Sequence, residues 1–123
     1  MKGNIYAEKI TLHARRDELL QLESLKNLGE DLVKHSGFTF RRFSVENYRT
    51  PKNAYTLVCF LDESHLILTT YPEHDLLEVE LTSCKLPRMP LYSFLVPCNE
   101  DWTPITMTRL VKDSSNNWNV LCS

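Results

Sequence analysis

Glu63-Ser64-His65 stands at the mouth of an apolar stretch, Tyr71-Pro72-Glu73 closes that stretch, and a lone thiol, Cys84, lies one hairpin later. Three readings of the triplet compete. The plainest is a turn, because Asp62, Glu63 and Ser64 are ordinary turn formers between strands. A Ser-His hydrolase is the weakest. No GxSxG elbow is present, and strand neighbours project to opposite faces, so His65 is not expected to hold the Ser64 hydroxyl. The third is self-cleavage. A serine hydroxyl can attack the carbonyl carbon of the preceding residue, the amide becomes an ester, and β-elimination cuts the chain. The serine end then becomes a pyruvoyl group, whose conjugated ketone can condense with a substrate amine and accept electrons as carboxylate leaves. This does the work of pyridoxal phosphate without a bound cofactor. Such chemistry needs a strained peptide, a proton-handling group and an acid that reprotonates the product. Cys84, on the polar side of the next strand, is a candidate acid. It is equally open to being a small buried residue.

The bulk composition narrows the classes. The chain has 123 residues, 42% hydrophobic and 24% charged, which suits a single domain over residues 1–123 with one core. A net charge of −2 with mixed signs leaves no electrostatic footprint for nucleic acid. No apolar run is long enough to span a bilayer, and the first ten residues do not read as a signal peptide, so a cytoplasmic location is expected. Cys59, Cys84, Cys98 and Cys122 form no CxxC pair and match no zinc spacing, so reduced thiols and no metal are expected. With three glycines and no GxGxxG or GxxxxGKS, the usual nucleotide loops are absent.

The elements that would position these residues follow from periodicity. Asn4 to His13 alternates as a strand, with Tyr6, Ile10 and Leu12 on one face. From Arg16 onward, Leu22, Leu25, Leu28 and Leu32 form one helical stripe, with Asp17 and Glu18 at its start, Lys34 near its end and Gly37 as a left-handed stop. Phe38 to Val45 reads as a strand, Glu46 to Ala54 as a loop, and Tyr55 to Leu61 as a buried central strand. His65 to Tyr71 and Leu76 to Cys84 are two further strands, the second with Leu77, Val79 and Leu81 opposite Glu78, Glu80, Thr82 and Cys84. A short helix over Leu91 to Val96, a strand over Ile105 to Asp113 and a polar tail from about residue 113 complete the chain. Short links favour an α+β fold, an antiparallel sheet with helices on one face. The other face then needs cover, and a second copy packed sheet to sheet supplies it.

The hairpin resembles the small bacterial and archaeal type of S-adenosylmethionine decarboxylase. Glu63-Ser64-His65, Tyr71-Pro72-Glu73 and Cys84 keep that family's spacing, and the leading strand, the long helix and "SGFTFRRF" (36–43) extend the likeness from Ile5 to Cys84. The resemblance implies cleavage of the Glu63–Ser64 bond, Ser64 as pyruvoyl precursor and Cys84 as proton donor. It implies homodimerisation into an α/β/β/α sandwich and decarboxylation of S-adenosylmethionine for spermidine and other polyamines, with neither metal nor pyridoxal phosphate. Phe43 would stack on the adenine and the sulfonium, with His65 and Glu73 also on the substrate side. Phe40 and Phe43 are otherwise core aromatics, and Arg41 and Arg42 read as a solvated edge or carboxylate binders. Departures from the pattern fall on the site. Thr69 stands where the family has its processing histidine and Thr56 where it has a serine; Lys85 replaces the glycine after the thiol, and "SVENYRTPKNAY" (44–55) replaces a glycine-rich stretch. His65 and His74 are the imidazoles left to substitute. Two alternatives accompany this reading: a pyruvoyl-dependent decarboxylase of a basic amino acid such as ornithine or arginine, and an unprocessed, inactive homologue that works by pairing with an active partner.

Overall fold

The computed structural model describes residues 5–49, 52–95, 100–112 and 118–122. Strand β1 (Ile5–Ala14) leads through a 3-10 turn at Asp17–Leu20 into helix α1 (Leu22–Ser36). Strands β2 (Phe40–Arg49), β3 (Asn53–Leu61), β4 (Ser64–Tyr71) and β5 (Leu76–Ser83) follow as a meander. Helix α2 (Tyr92–Leu95), β6 (Trp102–Lys112) and β7 (Trp118–Cys122) end the described chain. These strands make one sheet in the order β2-β3-β4-β5-β1-β6-β7, and every pair is antiparallel.

The leading helix is shorter than its apolar stripe suggests. Gln21 is extended (φ −81°, ψ 154°), so Asp17–Leu20 forms a separate 3-10 turn and α1 starts at Leu22. The buried stripe is Leu25, Gly29, Leu32, Val33 and Ser36. Gly29 is the contact point with the sheet: a Cβ there would sit 2.9 Å from Cys59 Sγ, so only glycine lets the helix approach this closely. At the far end Gly37 (φ 78°) is the left-handed stop, and its N–H bonds the Val33 and Lys34 carbonyls. The Arg88 guanidinium adds a bond to the Lys34 carbonyl at 2.9 Å.

Strand pairing differs from expectation at two places. Residues 46–49 and 53–54, expected in a loop, are strand: β2 and β3 pair as far as Arg49 and Asn53. The polar residues there belong to an edge strand whose side chains are exposed. The tail likewise supplies β7, which pairs Lys112 with Trp118 and Val111 with Asn119. It lies at an edge of the sheet, where only the backbone needs a partner. Pro104 falls within β6, beside the register shift at Thr11/Leu12 and beyond the stretch that β7 covers, where a missing N–H costs little. Cys98 lies outside the described residues.

One sheet face carries both helices and the core, including Leu57, Cys59, Leu66, Leu68, Val79 and Leu81. Glu8 is buried within it at 2% exposure. Its carboxylate accepts from Tyr6 Oη (2.8 Å), Leu91 N (2.8 Å) and Tyr92 N (3.0 Å). Glu8 thereby fastens the start of α2 to β1, and Arg109 Nε donates to Tyr6 Oη at 2.7 Å. Burial pushes the Tyr6 phenol well above its ordinary range. Glu8→Ala strands these donors and should lower unfolding free energy by about 3 kcal/mol, with Glu8→Gln losing less than half of that, read from urea midpoints.

Candidate active site

The hairpin between β3 and β4 is closed by two residues, Asp62 and Glu63, with Leu61 opposite Ser64. Neither loop residue has positive φ; that angle falls instead on Ser64 (φ 156°). Two-residue hairpins usually place positive φ in the loop itself. Here the first strand residue absorbs the mismatch in twist. The angle is one that residues other than glycine rarely adopt. The displaced backbone has a chemical consequence. Ser64 Oγ lies 3.1 Å from His65 Nδ1. The alternation rule is overturned at this step because Ser64 sits off the regular pleat.

The peptide carbonyl before Ser64 is held as well. Cys84 N–H donates to Glu63 O at 3.1 Å. A backbone donor on that oxygen is what an oxyanion developing there would need. The Glu63 carboxylate is tied on both oxygens, by Thr39 N–H at 3.0 Å and by Lys85 Nζ at 3.4 Å. Asp62 is fixed in turn, since its N–H reaches Thr39 O at 3.0 Å and its side chain pairs with Arg41 at 2.7 Å. Arg41 is the extra residue of a bulge in β2, and bulges commonly re-aim a side chain in this way. The result is a serine hydroxyl, an imidazole and a polarised carbonyl on one braced turn.

Ser64, Glu63 and Cys84 share a cleft of about 190 Å³ with Ile5, Thr82 and Ser83. Cys84 follows the last residue of β5 and is exposed. Ser83 beside it is buried, and its hydroxyl donates to the Lys85 carbonyl.

Other site residues expected from the sequence lie elsewhere. Thr56 and Thr69 face each other across β3 and β4. They line a second cleft of about 520 Å³ with Tyr48, Tyr71, Pro72 and Glu73. Thr69 is five positions along β4 from Ser64, roughly 16 Å at ~3.3 Å per residue. Within one chain it cannot touch the Ser64 hydroxyl. Phe43 pairs with Cys59 on the helix side, packs against the core and lies under Lys26 Nζ (5.8 Å to the ring centroid). Neither cleft includes it. Tyr48 and Tyr71, both exposed, are the aromatics of the second cleft. Alternation through Ser44, Glu46 and Tyr48 is the sequence signal that could have found Tyr48. His74 sits in the exposed 3-10 turn Pro72–His74, beside Glu73 and remote from Ser64.

The face opposite the helices carries Val58, Phe60, Ile67 and Leu110 half-buried, with Lys9 bridging Glu78 and Glu80 at 3.6 Å each. Partial burial, against the pull of Lys9, holds the Glu78 carboxyl above its ordinary range, and Glu80 adds to the effect. No helix among the described residues is long and apolar enough to cross a membrane, and the described residues hold no cluster of metal-ligand type.

An antiparallel sheet with helices on one face, presenting a serine hairpin against a thiol, defines an α+β domain built around that hairpin. The family model described as S-adenosylmethionine decarboxylase matches residues 10–96, and the chain belongs to this family. It is 32% identical over 71 residues to the S-adenosylmethionine decarboxylase proenzyme of Aquifex aeolicus (strain VF5). That match takes in 58% of this chain but only 51% of the relative, so the chain spans about half of that protein's length. The crystal structure of the adenosylmethionine decarboxylase from Aquifex aeolicus VF5 shares the fold, with a TM-score of 0.60, 21% identity and 92% of each chain covered.

The two described thiols should differ sharply in reactivity. Burial, reinforced by Glu30, pushes the Cys59 thiol up to about 12, whereas Cys84 is exposed. Brief iodoacetamide treatment of folded protein at pH 8 should alkylate Cys84 and leave Cys59 until the protein is unfolded, as peptide mass mapping would reveal.

Proposed function

We propose that this chain is a self-processing, pyruvoyl-dependent decarboxylase acting on S-adenosylmethionine. The observation that carries the proposal is the braced turn, in which the Ser64 hydroxyl contacts His65 Nδ1 while the Glu63 carbonyl rests on the Cys84 amide. His65 takes the Oγ proton as Oγ adds to the Glu63 carbonyl carbon. It returns that proton to the departing Ser64 nitrogen, leaving an ester. Neutral again, it can take the Ser64 Cα proton as the Cβ–Oγ bond breaks. One imidazole thus serves both proton transfers, the duty for which Thr69 has no suitable group.

The residues around Ser64 fit the group that would form there. Ser64 lines the same cleft as Cys84, and Thr82 brings a hydroxyl to it. Once formed, a pyruvoyl group supplies the electron sink for loss of carbon dioxide. Cys84 can donate a proton to the carbon that lost the carboxylate, and Thr82 lines the same cleft.

A cleft of about 190 Å³ is small for a nucleoside joined to an amino acid, since pockets for such ligands usually hold ~300–1,000 Å³. The bare sheet face supplies the remedy. A second copy packed face to face, about a two-fold axis running across the strands, brings one protomer's Thr56–Thr69 end over its partner's Ser64 end. Sheets so packed lie about 10 Å apart. The aromatic and acidic cleft of Tyr48, Tyr71 and Glu73 then faces the reacting serine, with rings for adenine or sulfonium and a carboxylate for ribose hydroxyls. This is the α/β/β/α sandwich, and it accounts for half-buried Val58, Phe60 and Ile67 on a face that no helix covers.

Intact-mass spectrometry tests processing directly. Purified protein should resolve into residues 1–63 and a pyruvoyl-blocked 64–123. A single chain after long incubation would favour the inactive-partner reading that Thr69 suggests. His65→Ala should slow scission by about 10²–10⁴-fold while His74→Ala leaves it unchanged. Cys84→Ala should cleave normally yet lose decarboxylation by a similar factor; normal turnover would make Cys84 a packing residue. Sedimentation at micromolar concentration should find a dimer, and Ile67→Lys on the bare face should yield monomers without activity.

A further inference from the structure

We infer that Lys85 is a positioning residue for chain scission, which stabilises the carboxylate that leaves from Glu63; this rests on reading Glu63–Ser64 as a self-processing bond. Elimination breaks the Ser64 Cβ–Oγ bond, and the electron pair stays on the former ester oxygen of Glu63. The Ser64 Cα proton goes to a base, a Cα=Cβ double bond forms, and Glu63 acquires a new α-carboxylate. That charge develops on a residue whose side chain is already a carboxylate. Like charges so close resist forming together. A cation held between them offsets the repulsion.

Lys85 is the cation beside the Glu63 carboxylate. Its Nζ lies 3.4 Å from Glu63 Oε2, and the Glu63 side chain is only 12% exposed. The peptide oxygen that becomes part of the leaving carboxylate bonds the amide of Cys84, the residue next to Lys85. The backbone at Lys85 is itself anchored, because the buried Ser83 hydroxyl donates to its carbonyl. Its ammonium lies 5.7 Å from the Phe38 ring centroid, which steadies the stem. The other cation of the turn, Arg41, points at Asp62. Thr39 N–H holds the second oxygen of Glu63 and keeps the side chain from swinging out to solvent. Lys85 acts through Glu63 and does not touch the bond that breaks.

The consequence is specific to one step. Without the cation the ester should form and then wait. Freshly translated full-length protein, with Lys85→Met and Lys85→Arg beside wild type, is followed by intact mass with and without hydroxylamine. Hydroxylamine splits the ester, giving a 1–63 hydroxamate and a 64–123 fragment that begins with serine and is heavier than the pyruvoyl form by one ammonia. Lys85→Met should slow scission about 3- to 10-fold, the range for a partly exposed charge contact. It should accumulate hydroxylamine-sensitive ester at an unchanged melting temperature. Lys85→Arg should restore the rate. Raising salt to about 1 M should slow wild type and leave Lys85→Met unaffected, because the pair is open to screening.

Scission at the wild-type rate in Lys85→Met, with no ester, would overturn the assignment and leave self-processing standing. An uncut Lys85→Met with no ester would also overturn it, because Lys85 would then be needed before elimination. Wild type that gives neither fragments nor ester would remove the self-processing reading and this assignment together.

Discussion

The antiparallel register between β4 and β5 is the constraint from which the site follows. It sets Ser64 opposite Ser83, which leaves the next amide, that of Cys84, on the Glu63 carbonyl. A slip of one residue would turn either Leu66 and Leu68 or Val79 and Leu81 out of the core. The hydrophobic core therefore locks the alignment of thiol, hydroxyl and carbonyl. Chemistry at the end of the hairpin takes its precision from packing in the middle of it.

The helix layer contributes through closeness. Gly29 lets α1 rest against Cys59 and the leucines around it. Gly37 and Arg88 close the helix, and Arg88 N–H bonds Ser36 O at 2.7 Å. The strap from Cys84 to Pro90 is thus pinned to the end of α1. Glu8 repeats the device under α2. Lys85 lies between the Cys84 bond to Glu63 and the Arg88 bond to Ser36, which keeps a surface lysine beside Glu63.

The two clefts lie apart on one chain, and the proposed dimer is what would join them. Both open on the sheet face without helices, one at each end of β4. A central antiparallel strand cannot bring its own ends together, because its length is set by the backbone rise. In the proposed dimer a two-fold axis would superimpose them, with the half-apolar face as the contact surface. Lys9 with Glu78 and Glu80 would then be covered, and the raised carboxyl at Glu78 already reflects partial loss of water.

Much of this was legible in the residues themselves. Alternation in β1, β3, β4 and β5 is dictated by one buried face, and the stripe of α1 by its contact with the sheet. The Glu-Ser-His triplet, the Pro-Glu turn and the distant thiol carry their spacing because β4 and β5 pair residue for residue across that turn. The ends of β2 and the whole of β7 were not legible, since edge strands need no apolar pattern and their partner is a backbone that local sequence does not reveal. Phe43 lies on the helix side, because register, not residue type, chooses the face. The contact of Ser64 with His65 broke the alternation rule because the hairpin shifted its unusual φ onto the serine. Lys85 read as a departure from a family pattern, and the pairing that gives it meaning joins it to Glu63 across a hairpin. The sequence by itself determined which groups are available and which faces are apolar; tertiary structure alone decided which of those groups meet, because that depends on register and closure between segments distant along the chain.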